Sequence, residues 1–179
     1  MPVNGNIPAD NKRVVRKMSK FPSAQSALEQ EMVLRLRRPD VASRMRRTLR
    51  EAGLRPTRAR IALSSLLFTR GDRHVSAEML FEEAKQCNVP VSLATIYNAL
   101  NQFTEAGLLR QVAIDATRSY FDTNNSDHSH FYIEDRHELV DISPTEVIVG
   151  GAPRPPDGYE VVRVDVVVRL RRKTDDQQT

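Results

Sequence analysis

The stretch VSLATIYNALNQFTEAGLLRQV, residues 91–112, decides how the rest of the chain is read. Ser92 can N-cap a helix whose inner face is Leu93, Ile96, Leu100 and Phe103, and Gly107 can end it. The opposite face carries Ala94, Thr95, Asn98, Asn101 and Gln102. Small residues allow close approach to a DNA groove, and asparagine or glutamine can pair with an adenine edge, although an ordinary solvated face has the same residues. The residues after Gly107 favour the groove. LLRQVAID and RSYFDT are short strand-like runs joined by DATR, and helices leading into such a hairpin describe a winged helix. Arg110 and Arg118 on that hairpin are expected to meet phosphate.

Working upstream, three more helices are expected. Asp40 is read as the N-cap of a helix through Val41, Met45, Leu49 and Ala52, with Gly53 as its stop and Pro39 separating it from what precedes. Thr57 caps the next, which buries Ile61, Leu63, Leu66, Leu67 and Phe68. The third starts at Ser76, with Glu78 in its first turn favouring the helix dipole. Residues 1–40 lack sustained periodicity and read as a flexible basic arm, in which residues 21–40 are long enough for a partner-stabilised helix.

Downstream the pattern turns β-like. HSHFYI and HELVDI flank the turn-like EDR. The segment SPTEVIVGGAPRPPDG reads as a loop with a short strand at Val147–Val149. YEVVRVDVVVRL alternates, placing Val162, Val164, Val166, Val168 and Leu170 on an expected core face, and RRKTDDQQT is a polar tail. The fold class is α+β. A winged-helix DNA-binding domain at 41–123 is followed by a small sheet-based dimerisation and sensor domain at 124–170, with the arm 1–40 before them and the tail 171–179 after. So small a sheet buries little alone, which makes a homodimer the economical arrangement.

Charge agrees with a polyanionic partner. Residues 1–70 carry 16 Lys/Arg against 5 Asp/Glu, and residues 71–179 carry 11 against 18. From Val41 to Phe68, Arg44, Arg46, Arg47, Arg50, Arg55, Arg58 and Arg60 face one acid, Glu51. No apolar run approaches the ~20 residues of a membrane span, and the basic N-terminus lacks the apolar core of a secretory signal, so the cytoplasm is expected. The single cysteine, Cys87, excludes an internal disulfide and a multi-thiolate zinc site built by one chain.

Together these runs resemble the Fur (ferric uptake regulator) family of metal-responsive, dimeric winged-helix repressors. LREAGLRPTRARIALSSLLF, HVSAEMLFEEA, VSLATIYNALNQFTEAGLLRQV and SYFDTNNSDHSHFYIED follow that family's order over about residues 41–142. Within it the chain most resembles the rhizobial-type iron response regulator (Irr) branch. The recognition helix has Tyr97-Asn98 where the family usually has Tyr-Arg, which should alter base readout. Ile133 and Arg136 stand where Cys-x-x-Cys would hold structural zinc, so no structural zinc held by four cysteines is expected. Asp127 and Ser129 replace two ligands of a further regulatory site, and the Pro/Gly-rich segment 143–158 replaces a histidine-bearing helix.

The resemblance implies a surviving ligand set of His74, Asp122, His128 and His130, suited to Fe²⁺, Mn²⁺ or Zn²⁺. It also implies DNA contacts from Arg55, Thr57, Arg58, Arg60, Ser92, Ala94, Thr95, Tyr97, Asn98, Asn101, Arg110 and Arg118 to double-stranded operator DNA. Irr proteins release DNA when haem arrives. With no cysteine-proline motif near the N-terminus and Cys87 followed by Asn88, a haem here would use His128 and His130. His137, beyond a turn, takes at most a haem or supporting part. The function implied is an iron- and haem-responsive regulator. The alternatives are a manganese-, iron(II)- or zinc-responsive repressor and, more remotely, a metal-dependent enzyme with Glu134 or Asp135 as base; no enzyme is expected.

Overall fold

The computed structural model describes Leu34 and residues 38–116, 118–151 and 153–173. The expectations for the N-terminal arm before Arg38 (Leu34 apart) and for the tail after Lys173 lie outside the described residues. Among the described residues from Arg38 onward, four helices precede the hairpin of residues 110–122. Helix α1 (Pro39–Glu51) starts with its proline inside the first turn, where a missing N–H is no loss; Arg38 is the N-cap and Asp40 follows the proline. Pro39 therefore opens this helix rather than separating it from what precedes, and Asp40 is not its cap. Met45 and Leu49 are buried, and the chain leaves through Gly53, whose φ of 74° lets the Leu54 amide return to the Leu49 carbonyl at 2.8 Å.

The other helices begin where a hydroxyl satisfies an orphan amide. Thr57 accepts from Arg60 N at 3.2 Å before α2 (Arg58–Phe68), Ser76 from Met79 N at 3.2 Å before α3 (Ala77–Gln86), and Ser92 from Thr95 N at 3.1 Å before α4 (Leu93–Glu105). Ile96, Ala99, Leu100 and Phe103 of α4 are buried, and Gly107 ends it with φ 70°.

Two three-stranded sheets follow. The first has the order β1-β3-β2, all antiparallel: β1 (His74–Val75), between α2 and α3, pairs with β3 (Ser119–Asp122), which pairs with β2 (Arg110–Ala113). The expected hairpin is thus the wing. The second has the order β5-β4-β6: β4 (Ser129–Ile133) is antiparallel to β5 (Glu138–Ile142) and parallel to β6 (Val167–Leu170).

Two expectations fail here. Residues 147–149 form no strand, and only Val167–Leu170 of the long alternating run joins the sheet. Its faces are also inverted. Val162, Val164, Val168 and Leu170 are 89%, 46%, 36% and 37% exposed, whereas Val167 packs against a core cluster. The reason is register: Val167 and Arg169 lie beside the buried His130 and Tyr132, and alternation along one strand cannot reveal which parity its neighbour buries. Arg169 shares that face but stays 47% exposed, with its guanidinium over the Tyr132 ring, 5.6 Å from the centroid, and donating to the Ile114 carbonyl.

The main core joins Leu49, Leu63, Leu66, Leu67, Leu80, Ile96, Leu100 and Phe103 of the helices to Val75, Leu109 and Phe121 around the wing. With each buried side chain worth ~1.5–3 kcal/mol, it dominates the fold. The seam between the sheets is smaller: Val112, Ile114 and Tyr120 of the wing against Tyr132 and Leu139, with Val167 at its edge. A seam with so little apolar area depends on its polar ties, and the densest of these involves three histidines.

Candidate metal centre and nucleic-acid face

Pairing of β1 with β3 sets His74 opposite Asp122, and the β4–β5 hairpin sets His130 opposite Asp141. Alternation on β4 leaves His130 facing the wing, and His128 enters from just before the strand. Donor atoms of His74, Asp122, His128, His130 and Asp141 all lie within 4.8 Å of one another. His74 Nε2 is 2.9 Å from Asp141 Oδ1 and 3.5 Å from Asp122 Oδ2. His128 Nε2 is 3.0 Å from Asp122 Oδ2 and 3.1 Å from Asp141 Oδ1; for His130 Nε2 the values are 3.3 and 3.6 Å. Asp122 is fully buried, the histidine side chains are nearly so, and Asp141 is 41% exposed, which makes it the open corner.

Neighbouring groups aim these donors. His128 Nδ1 donates to the Ser126 carbonyl at 2.9 Å, which leaves the Nε2 lone pair toward the cluster. Asp122 Oδ1 accepts from the Asn124 amide at 2.8 Å, which turns Oδ2 inward. Burial opposes a charge on His74, but the Asp122 carboxylate beside it and Asp141 across from it outweigh that and hold its pKa above the ordinary value. Burial likewise works against the Asp122 carboxylate, yet His130, His74 and the Asn124 amide hold its pKa well below the usual range.

The donor set fits a divalent cation. The Nε2 atoms of His74 and His128 are buried with no hydrogen-bond partner, although each lies close to a carboxylate oxygen. Bonds of about 2.0–2.2 Å to one ion would separate adjacent ligands by about 2.8–3.6 Å from octahedral to tetrahedral geometry, and the contacts here run from 2.9 to 3.6 Å. Three imidazoles and two carboxylates suit Zn²⁺, Fe²⁺ or Mn²⁺.

The four residues expected from the sequence are brought together here, and the fifth, Asp141, was missed. Its signal was present: with a turn at 134–137, hairpin parity sets Asp141 across from His130. The expected haem ligands are these same imidazoles. His128 and His130, with ring centroids 4.4 Å apart, direct Nε2 at the two carboxylates.

On the expected DNA face, Ser92, Ala94, Tyr97, Asn98 and Asn101 of α4 are exposed, and Thr95 is half-buried with its hydroxyl 2.9 Å from Ser92 Oγ. Tyr97 donates its hydroxyl to Glu78 Oε1 at 2.5 Å. Arg55, Thr57 and Arg58 are exposed before and at the start of α2, while half-buried Arg60 reaches Gln102 Oε1 at 3.0 Å and the Arg55 carbonyl at 2.8 Å. Arg118 is exposed, on the far side of the wing turn. Arg110 is a correction. Its residue is 3% exposed, and its guanidinium donates to the Ser126 carbonyl and pairs with Asp165, so it ties the wing to the C-terminal segment and is closed to phosphate.

Helices carrying a wing, joined across a His/Asp donor cluster to a second small sheet, define a winged-helix protein of the metal-responsive type. The family model for the Ferric uptake regulator family matches residues 51–168. A ferric uptake regulation protein of Pseudomonas aeruginosa is 30% identical over 127 residues, covering 70% of this chain and 95% of that protein. The structure of the Pseudomonas aeruginosa ferric uptake regulator with manganese is similar at a TM-score of 0.56 and 28% identity, covering 73% of this chain and 98% of the other. That of Vibrio cholerae is similar in fold at a TM-score of 0.56 and 21% identity, covering 70% and 98%. The chain belongs to the Ferric uptake regulator family, whose members are metal-responsive transcriptional regulators and not enzymes. No described helix is long and apolar enough to cross a membrane.

Proposed function

We propose that this chain is a homodimeric, cytoplasmic transcription factor that binds operator DNA through α4, α2 and the wing. In this reading the cluster of His74, Asp122, His128, His130 and Asp141 senses Mn²⁺, Fe²⁺ or Zn²⁺. The observation that carries it is the convergence of five donors from two sheets, two of whose imidazole nitrogens are buried without a hydrogen bond. His74 and Asp122 belong to the wing sheet; His130 and Asp141 belong to the second sheet, with His128 leading into it. An ion bound by all five stabilises the arrangement in which the sheets are held together, a differential affinity that can shift DNA binding. The chain's own contribution is to orient the donors, through Ser126 and Asn124, and to bury four of them. Exposed Val140, Val168 and Leu170 on the outer face of the second sheet support dimerisation through that sheet.

The Irr-type reading, in which DNA is held under iron limitation and released by haem, rests on the lack of a cysteine pair and on Tyr97-Asn98. Crowding of His128 and His130 by carboxylates favours the bare cation instead. The test is a selected operator duplex titrated with the full chain in chelator, in Mn²⁺ and in haemin, each followed by fluorescence anisotropy. Mn²⁺ should strengthen specific binding, and Asn98→Ala should weaken it by ~1–3 kcal/mol while leaving mixed-sequence binding nearly intact. Haemin lowering DNA affinity, with a Soret change lost in His128→Ala/His130→Ala, would restore the haem reading. Indifference to both ligands would remove the sensing role.

A further inference from the structure

The cluster is not the whole polar junction between wing and second sheet. Arg118 follows the turn joining β2 to β3, and its Nη1 donates to the Tyr132 hydroxyl at 3.0 Å and meets His137 Nδ1 at 2.7 Å. A guanidinium has only donors, so His137 Nδ1 is the acceptor and the neutral ring carries its proton on Nε2. Tyr120 donates its hydroxyl to the His137 carbonyl at 2.5 Å. Both contacts depend on His137 holding φ at 51°, in the left-handed region that a residue with a Cβ rarely adopts. The β4–β5 turn thus presents an imidazole and a carbonyl to the wing, through a residue that is not a cluster donor.

Where Arg118 is held gives the contact its meaning. A cleft of about 470 Å³ is lined by Tyr97 and Asn101 of α4, by Gln111 and Arg118 of the wing, and by His137. Arg118 therefore faces the same space as the exposed side chains of α4. Its contacts with Tyr132 and His137 engage one terminal nitrogen of a group that carries five N–H donors. A long arginine loses much rotamer freedom when fixed against a phosphate, and here part of that ordering precedes the nucleic acid.

We infer that His137 is a positioning residue for nucleic-acid binding: it holds Arg118 at the edge of the cleft between α4 and the wing, ready to meet a backbone phosphate. This rests on the operator-binding reading above and adds to it a route, apart from the cluster, by which the second sheet sets a DNA contact.

The test uses the full chain with His137→Gly, His137→Asn, Arg118→Ala and the His137→Gly/Arg118→Ala pair. The probe is a mixed-sequence duplex of about 30 base pairs, roughly three helical turns, across a salt series. Glycine and asparagine both accept the left-handed backbone, so the Tyr120 bond to the carbonyl is kept, and asparagine also keeps a side-chain acceptor. His137→Gly should weaken binding about three- to tenfold and flatten the log–log salt dependence by up to about one, as loss of one phosphate contact does. His137→Asn should recover most of this. The double variant should bind no more weakly than Arg118→Ala alone, and the Mn²⁺-induced rise in Tm should be unchanged throughout. Wild-type or tighter affinity in His137→Gly, or additive losses in the double variant, would overturn the inference. If Arg118→Ala binds like wild type, the inference alone falls; if wild type fails to bind any duplex, the operator-binding reading falls with it.

Discussion

Replacing Asp141 by alanine tests the cluster at its half-exposed corner, where a truncated side chain leaves no buried void. An ion present at about a hundred times its Kd stabilises the native state by ~2.7 kcal/mol, which for a chain of this size raises Tm by roughly 5–11 °C. Asp141 Oδ1 stands 2.9, 3.1 and 3.6 Å from the three Nε2 atoms and is one of two anionic donors. Its loss should weaken Mn²⁺ binding at least as much as loss of a group that only orients a ligand, about ten- to a hundredfold. At the same Mn²⁺ concentration the stabilisation then falls to ~1.4 or ~0.4 kcal/mol, a rise in Tm of roughly 3–6 or 1–2 °C. Zn²⁺ should lose less, because three imidazoles and Asp122 still complete four donors. Thermal scans of wild type and Asp141→Ala in chelator, Mn²⁺ and Zn²⁺ read both effects. A Mn²⁺-induced shift equal to wild type in the variant would refute the five-donor assignment.

In chelator, stability should fall as pH rises from near neutrality. His74 is held above its ordinary value of 6.5, so its contribution is complete below that value and is lost as pH climbs through the raised one. Asp122 has the opposite sign: its contribution is present above 3.8 and is lost on acidification. Urea midpoints followed upward from about pH 6 should therefore decline in EDTA and decline less with saturating Mn²⁺, whose binding needs neutral imidazoles; a flat profile in EDTA would contradict this. Leu100→Ala, at a fully buried position of α4, should cost about 2–5 kcal/mol by urea unfolding, and a loss under 1 kcal/mol would show that the core is not where the burial places it.

Much of the winged helix was legible because its signals are local. Thr57 and Ser92 cap the helices they were expected to cap, the third helix starts after Ser76 as expected, and Gly107 ends α4 with the backbone that favours glycine. Pro39 was misread because proline both ends a helix and begins one, and only the geometry of the turn distinguishes the two. Where partners were distant, the reading thinned. Strand β1 has two residues, too few for periodicity, yet it carries His74 to Asp122. Asp141 needed the hairpin register, and the inward face of β6 needed β4 beside it. Arg110 looked like any basic residue on a wing, and its burial arises from Asp165, far along the chain.

That β6 is parallel to β4 bears on the order in which the molecule is assembled. A parallel neighbour cannot be supplied by a tight turn, so the second sheet waits for Val167–Leu170. By then the helices and wing have left the ribosome, with a core complete in itself. The nascent chain can hold a DNA-shaped module before it holds a finished sensor. His130, paired on one side with β5 and on the other with β6, takes its final setting only when the last described strand arrives.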